Sequence, residues 1–169
     1  MHRRNHGFTL IEVLVSLVIL SLGLLGIAKL MLFSSHSNDS AYLRSQATNL
    51  AYEMLDNMRA NNATLASYAT PATALATNPG FTCVGATPCS NAQVALFDVY
   101  QWKLRLDAGS GLIPAGALPQ GRGQIDTAPT PLGTQTQVTI TVTWDDSVAQ
   151  NSLNGGAAGT QAIVLESVL

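Results

Sequence analysis

A single carboxylate stands inside the most apolar stretch of the sequence. From Phe8 to Phe33 the only charged residues are Glu12 and Lys29, and residues 13–28 contain none. A charge at the centre of a membrane-spanning helix costs about 2.5 to 3.5 kcal/mol on insertion scales, and less near an end. Glu12 is therefore a candidate functional residue for which a positively charged partner must be found.

The chain itself offers one candidate partner for this acid. Glu12 follows Phe8 by four residues, a spacing that places two positions on one face of a helix. Cleavage between Gly7 and Phe8 would create a positively charged α-amine that pairs with Glu12 in the same chain or in a neighbouring one. Alternatively, Glu12 extends its carboxylate to the membrane surface. The residue types alone leave both interpretations open.

Two cysteines lie in a stretch that has the composition of a loop. Cys83 and Cys89 fall within residues 61–91, which contain no charged residue and are rich in Ala, Thr, Asn, Ser and Pro. Two cysteines supply only half of a tetrahedral zinc site, and no histidine lies nearby. If this part of the chain is exported, it lies in the oxidising periplasm, where disulfides persist, and a Cys83–Cys89 disulfide is therefore predicted. A reactive thiol pair is the alternative, and neither interpretation calls for a metal or a cofactor.

Catalysis and nucleic-acid binding have few candidate residues. After residue 7 the only histidine is His36, so a Ser-His-Asp set would have to use it beside the membrane exit. Lys103, Arg105 and Arg122 could form a small basic spot, but the formal net charge of the chain is -2. Proteins that bind nucleic acid through a basic patch are usually basic overall. We therefore expect no enzyme and no nucleic-acid partner, and we predict that Trp102 lies in the core.

The elements that position these residues begin with a membrane-length segment. Only 11% of the 169 residues are charged, against about a quarter in globular chains. Residues 8–28 would form roughly 31 Å of helix, close to the hydrocarbon thickness of about 30 Å. Arg3 and Arg4 precede it, which favours a cytoplasmic N-terminus and export of the rest. A cleaved secretory signal or a plain anchor also fits the hydropathy, but neither explains Glu12.

The helical pattern continues beyond the apolar segment. Apolar residues recur in steps of three and four, which indicates one buried helix face: Leu43, Ala47, Leu50, Ala51, Met54, Leu55 and Met58. We predict one helix from about Phe8 to about Asn61, on the order of 80 Å long. The alternative is two helices with a break near residues 34–38. In both cases the apolar face docks on a C-terminal domain.

The C-terminal part carries strand patterns. Ala92 to Ala108 fits a helix or a strand almost equally well, and we favour a short helix. Gln135 to Trp144 is the clearest strand candidate, and from Val138 to Trp144 apolar residues alternate with threonine, the period of a half-buried strand. Gly121 to Thr127 and Ala162 to Leu169 are further strand candidates, and Asp145 to Gln161 is predicted to be a surface loop. This predicts a short antiparallel sheet of three or four strands.

The residues around Glu12 resemble the processing site of type IV pilins and the related pseudopilins. The resemblance rests on a basic leader that ends in Gly7, followed by Phe8, Glu12 and an apolar helix, with the sequence GFTLIEVL. It implies cleavage after Gly7 by a prepilin peptidase and N-methylation of Phe8. It also implies that Glu12 neutralises the N-terminus of an adjacent subunit during assembly. Major pilins often carry a proline in the apolar segment, whereas the first proline here is Pro71.

The later sequence is similar to the PilV family of minor pilins, the type IV pilus modification proteins. The segments that carry this looser similarity are FDVYQWK at 97–103, LPQGRG at 118–123 and the strand at 138–144. The resemblance implies an α+β fold in which the long N-terminal helix packs on a small antiparallel sheet, the pilin αβ-roll.

These expectations divide the chain into five parts. They are a leader (1–7), the membrane and assembly half of the helix (8–33), its periplasmic amphipathic half (34–61), a loop with a disulfide (62–91) and a C-terminal α+β pilin domain (92–169). The resemblance implies a minor pilin that takes part in pilus assembly, initiation or a tip complex, with twitching motility and adhesion as family functions. The alternatives are a minor pseudopilin of a type II secretion system and a membrane-tethered periplasmic enzyme or binding protein.

The resemblance also implies partners and a location. The expected partners are other minor pilins, the major pilin, the prepilin peptidase/N-methyltransferase, the inner-membrane assembly machinery and the lipid bilayer. The precursor would span the inner membrane once, with a cytoplasmic N-terminus and a periplasmic C-terminal domain. After processing, the chain would move to the pilus or its tip at the cell surface.

Overall fold

A computed structural model of the chain describes residues 8–83, 88–106, 117–131, 133–146 and 159–169. Gly7 and most of the predicted surface loop between Asp145 and Gln161 lie outside the described residues. The described part contains a long helix, a short 3-10 helix, a second helix and three strands.

The long helix, α1, runs without a break from Leu10 to Ala60. Its 51 residues contain no proline, so the backbone hydrogen-bond ladder continues through the polar patch after Phe33. The prediction of one continuous helix is confirmed, and the alternative with a break near residues 34–38 is not. The helix begins two residues later than expected because Thr9 has an extended backbone, with φ -80° and ψ 148°. Phe8 therefore precedes the helix.

The two halves of α1 lie in different surroundings. The large apolar side chains from Leu10 to Phe33 are exposed. In the second half the predicted apolar face is buried against the rest of the chain, and its buried members are Ala47, Leu50, Ala51, Met54, Leu55 and Met58. The spacing of three and four residues thus identified the docked face correctly.

The segment after α1 contains structure that the sequence analysis missed. Asn62–Tyr68 forms a 3-10 helix where a loop was expected. It places Tyr68 fully in the core, and the tyrosine hydroxyl donates a hydrogen bond of 2.8 Å to Oδ2 of Asp98. Asn61 at the end of α1 donates to the same hydroxyl at 3.2 Å. Tyr68 therefore connects the end of α1 to the second helix.

The second helix, α2, spans Asn91–Leu106 and confirms the helical interpretation of this ambiguous segment. Its start is fixed by a reciprocal pair of side-chain caps. The backbone N–H of Ser90 donates to Oε1 of Gln93 at 2.9 Å, and the N–H of Gln93 donates to Oγ of Ser90 at 3.4 Å. This is a capping box, which satisfies N–H groups that a helix start leaves unpaired.

Three antiparallel strands form one sheet in the order β1-β2-β3. β1 is Arg122–Pro129, β2 is Thr136–Asp145 and β3 is Thr160–Val168. The central strand carries the predicted alternation, and its apolar residues Val138, Ile140, Val142 and Trp144 are buried. α1, α2 and the sheet enclose one core, so the expected α+β pilin-like arrangement is confirmed.

The contact between α2 and β1 requires glycine at one position. A Cβ atom at Gly123 would overlap the indole ring of Trp102 and the side chain of Leu106. Trp102 is held in place because its Nε1 donates to the carbonyl oxygen of Leu50 in α1 at 2.9 Å. The ring therefore cannot move aside without losing a buried hydrogen bond.

Gly123→Ala should lower the free energy of unfolding by about 1 to 3 kcal/mol, the usual cost of overpacking a filled core. Denaturant unfolding of the full chain in detergent, followed by tryptophan fluorescence, measures this loss. Gly26→Ala is the matched control, since a Cβ there meets nothing within 4 Å. An equal loss in both variants would contradict the packing role of Gly123.

Candidate assembly site

Glu12 lies in the first turn of α1, next to the start of the helix. Its backbone N–H donates to the carbonyl oxygen of Thr9 at 3.1 Å. A negative charge near a helix N-terminus is favoured by the helix dipole, typically by about 0.3 to 1 kcal/mol. Glu12 therefore lies at the end of the helix where the dipole attracts negative charge, although the surrounding residues are apolar.

Phe8 and Glu12 lie beside the same shallow groove. A shared helix face was predicted for the two residues, but Phe8 precedes α1 and is not part of the helix. They line one side of the helix start together with Val13, Ser16, Leu17 and Leu20. Ser16 Oγ donates to the backbone carbonyl of Glu12 at 2.6 Å. Within the described residues, no basic side chain forms an ion pair with the carboxylate of Glu12.

The sequence held a second signal at this site. Thr9 and Glu12 have the spacing of a capping box, in which a threonine side chain and a glutamate three residues later each bond a backbone N–H. In the structure Thr9 occupies the N-cap position, but its side chain makes no capping hydrogen bond. The threonine half of a capping box is therefore not formed around Glu12.

The surface around the site is apolar and uncovered. Among the described residues, α1 is the one helix that is long and apolar enough to cross a membrane. Its most apolar part is not buried by any other described element. Soluble proteins rarely expose a continuous apolar surface of more than a few hundred Å². This half of α1 therefore needs either lipid or other helices around it.

The two cysteines are joined as predicted. Cys83 and Cys89 form a disulfide across six residues, with their Cα atoms 5.5 Å apart. This distance lies in the usual range for disulfides. The bond closes a small loop, so the alternative of a reactive thiol pair is not what the structure shows.

The histidine that could serve catalysis is not arranged for it. Ser40 Oγ donates to Oδ2 of Asp146 at 2.6 Å, which joins α1 to the end of β2. His36 lies one turn before Ser40, and its Nδ1 is buried with no partner among the described residues. In a nucleophilic triad the serine donates to the histidine, whereas Ser40 donates to the acid. No three described His, Cys, Asp or Glu residues are grouped to hold a metal.

Two of the three cations considered for a nucleic-acid site bind groups within the fold. Lys103 is only 5% exposed, and its Nζ donates to the carbonyl oxygens of Pro71 at 2.9 Å and Ala74 at 2.7 Å. Arg105 forms an ion pair with Glu53 of α1. Both cations are therefore used within the fold. Trp102, at 2% exposed, lies in the core as predicted rather than on the surface as a stacking platform.

Three groups among the described residues of the folded domain have shifted pKa values. Burial and, to a smaller extent, the nearby charge of Arg122 together lower the pKa of Lys103 to about 8. Burial raises the pKa of Tyr68 to about 12, and it also raises the pKa of Asp98, although the hydrogen bond from Tyr68 opposes the latter shift. The described contacts of Lys103, Tyr68 and Asp98 lie within the fold, so the shifts are assigned to folding rather than to catalysis.

The shift of Lys103 predicts how stability depends on pH. The pKa falls from 10.5 to about 8 on folding, so the unfolded chain binds more protons between these values. The free energy of unfolding should therefore rise by about 1 to 2 kcal/mol from about pH 7.5 to pH 9.5. Tryptophan-monitored unfolding of the full chain in detergent measures the slope. Lys103→Met should remove the slope, and an unchanged slope in that variant would contradict the assignment.

Two family models match the chain. The prokaryotic N-terminal methylation motif matches residues 2–28, and the type IV pilin Tt1218 family matches residues 30–100. Neither a curated protein nor a solved structure matches it. The first match covers Phe8, Glu12 and the uncovered half of α1. The second covers the docked half of α1, the disulfide and much of α2.

Proposed function

We propose that this type IV pilin, which carries a prepilin-type N-terminus, acts as a minor subunit in pilus assembly. The observation that carries the proposal is the position of Glu12, an acid without an ion-pair partner among the described residues, beside Phe8 on an uncovered apolar helix. The family supplies structural subunits, so the chain is assigned a structural role.

The mechanism follows from the electrostatics of that helix. Cleavage after Gly7 gives Phe8 a positive α-amine, and N-methylation of this amine keeps it basic. When helices of several subunits pack together, Glu12 leaves water, and an unpaired buried charge is costly. A neighbouring N-terminus at the same level removes this cost by forming an ion pair. The pair therefore favours one axial position of each new subunit, while the apolar side chains supply the packing contacts.

The minor role is supported by the sequence of the apolar helix and of the C-terminal domain. No proline occurs before Pro71, whereas major pilins often carry one in this segment. The similarity to the PilV family points to assembly, initiation or a tip complex, with motility and adhesion as consequences of the pilus. The proposed partners are the major pilin, other minor pilins, the prepilin peptidase/N-methyltransferase and the inner-membrane assembly machinery. The precursor would have its N-terminus in the cytoplasm and its C-terminal domain in the periplasm.

A minor pseudopilin of a type II secretion system is the second candidate. It is favoured by the same residues, since Gly7, Phe8 and Glu12 serve both kinds of fibre. Deletion of the chain separates the two functions. Loss of surface pili with normal secretion supports the pilus assignment, and loss of enzyme secretion with normal pili supports the pseudopilus.

Glu12→Ala should leave membrane insertion intact but reduce the amount of the chain in sheared fibres at least about tenfold, a change that corresponds to about 1.4 kcal/mol. The physical reason is that the amine of the neighbouring subunit loses its counter-charge. Immunoblots of membrane and fibre fractions measure the ratio. Ser16→Ala, in the same groove, is the matched control and should assemble normally. Normal incorporation of Glu12→Ala would show that amine pairing does not direct assembly.

A further inference from the structure

The two edges of the sheet differ. At the outer edge of β1, Thr70 and Ile125 exchange two backbone hydrogen bonds, of 3.0 Å and 2.9 Å. At the outer edge of β3, no segment of the described residues pairs with the strand. Natural proteins usually cover or shorten such edges, since they are templates for another strand. β3 is nine residues long and contains no proline.

The register identifies which backbone groups of β3 point outward. Leu169 and Thr136 exchange two hydrogen bonds, of 2.8 Å and 2.9 Å. In an antiparallel pair such bonded positions alternate with positions whose N–H and C=O point away. Gln161, Ile163, Leu165 and Ser167 therefore bond β2. The residues that direct their N–H and C=O groups to the open edge are Thr160, Ala162, Val164, Glu166 and Val168.

The faces of β3 also lack full cover. Val164 and Val168 are 56% and 51% exposed on the outer face. On the core side Ile163 and Leu165 are only partly buried, although they pack against the core. An additional strand at this edge would bond the five outward positions and would cover the remaining surface of Ile163 and Leu165. The edge thus fits an extended polypeptide segment.

The direction of α1 bears on whether a second copy can supply that segment. Ser40 of α1 donates a hydrogen bond to Asp146 at the end of β2. Ten residues later in α1, Leu50 accepts a hydrogen bond from Trp102, whose ring packs on Gly123. Gly123 pairs with Val142, which lies earlier in β2 than Asp146 does. α1 therefore runs antiparallel to β2. Symmetric antiparallel pairing of two β3 strands would turn one α1 helix upside down. Two copies anchored in one membrane with the same orientation cannot adopt that arrangement.

Parallel pairing of two β3 strands keeps both helices in one direction, but both copies would use the same open edge. Their sheets would then face opposite ways, and the two α1 helices would lie on opposite sides of the joined sheet, where their apolar halves cannot pack on each other. Like charges at facing positions of a sheet are destabilising, whereas opposite charges contribute about 0.2 to 1 kcal/mol. Glu166 is the only charged residue of β3. Glu166 therefore favours a strand with a basic residue at the facing position, whereas the placement of the helices disfavours a second copy.

We propose that the outer edge of β3 binds an extended strand of a different pilin subunit, which places a basic residue across from Glu166. This inference rests on the proposed function and names the surface of one neighbouring subunit. Apolar contacts of the helices hold subunits together at the level of Glu12, and the strand pairing would fix the globular domains in a defined order.

Crosslinking in cells tests the contact directly. A photoreactive amino acid replaces Val168 on β3 in the full chain, and Asp126 on β1 is the matched control position, since it is also exposed. Adducts are identified by mass spectrometry in both the membrane and the fibre fraction. The expected result is an adduct between Val168 and another pilin, with none from Asp126. Adducts to the same chain, or no adduct from Val168 in either fraction, would overturn the proposal.

Edge variants test whether the adduct depends on strand pairing. Val164→Pro removes an outward N–H without breaking a bond to β2, so proline is compatible with this position. It should reduce the adduct at least about tenfold, whereas Val164→Thr keeps the N–H and should retain it. Glu166→Lys should weaken the adduct more than Glu166→Gln does. If Val164→Pro does not fold, these two Glu166 variants provide the test instead. Equal adducts in all four variants would refute the proposal.

The two fractions keep this result separate from the proposed function. If the unsubstituted chain is absent from fibres, the proposed function fails, but the adduct in membranes still decides the role of the β3 edge. If the chain is present in fibres and Val164→Pro forms the adduct as well as Val164→Thr, the function stands and the edge proposal fails.

Discussion

The proposed assembly of the chain depends on the electrostatic cost of one carboxylate. Glu12 lies on a helix whose surroundings must become apolar when subunits assemble, and no basic side chain among the described residues pairs with it. The helix dipole favours its charge but supplies less free energy than a full counter-ion in an apolar environment. An external positive group at the same level is therefore the physical requirement that the proposed processing of Gly7 and Phe8 would meet.

The rest of the structure connects this requirement to a folded domain. One unbroken helix carries both Glu12 and the buried face from Ala47 to Met58. The position of the carboxylate is thus coupled to that of the sheet, since Trp102 bonds Leu50 and Ser40 bonds Asp146. These polar connections, one to α2 and one to the end of β2, fix the register of α1 against the rest of the domain more specifically than apolar contacts alone.

The parts that sequence could predict are those with a regular period. The alternation from Val138 to Trp144 predicted β2, and the spacing of three and four residues predicted the docked face of α1. The segment after residue 91 is ambiguous by period, and the feature that specifies a helix there is the Ser90–Gln93 capping box. A local signal for the helix was therefore present in addition to the ambiguous period, and it agrees with the short helix that was predicted.

Other features had no local signal. Tyr68 lies in the core although its segment has the composition of a loop. Its hydroxyl donates a hydrogen bond to Asp98, thirty residues away in the sequence. Lys103 looked like a surface cation, yet it binds two carbonyl oxygens of a loop about thirty residues earlier. Such long-range polar contacts depend on the assembled fold. For the candidate site, the residue types at Phe8 and Glu12 pointed to the chemistry, but the late start of α1 at Leu10 was visible only in the structure.

The most direct measurement is the intact mass of the chain isolated from membranes of its own host. The account predicts the loss of residues 1–7 and the addition of one methyl group on the new N-terminal Phe8. This result would establish the amine that Glu12 is proposed to meet. A chain that keeps residues 1–7 and carries no methyl group would contradict the central claim, because no positive group would then exist at that level of the helix.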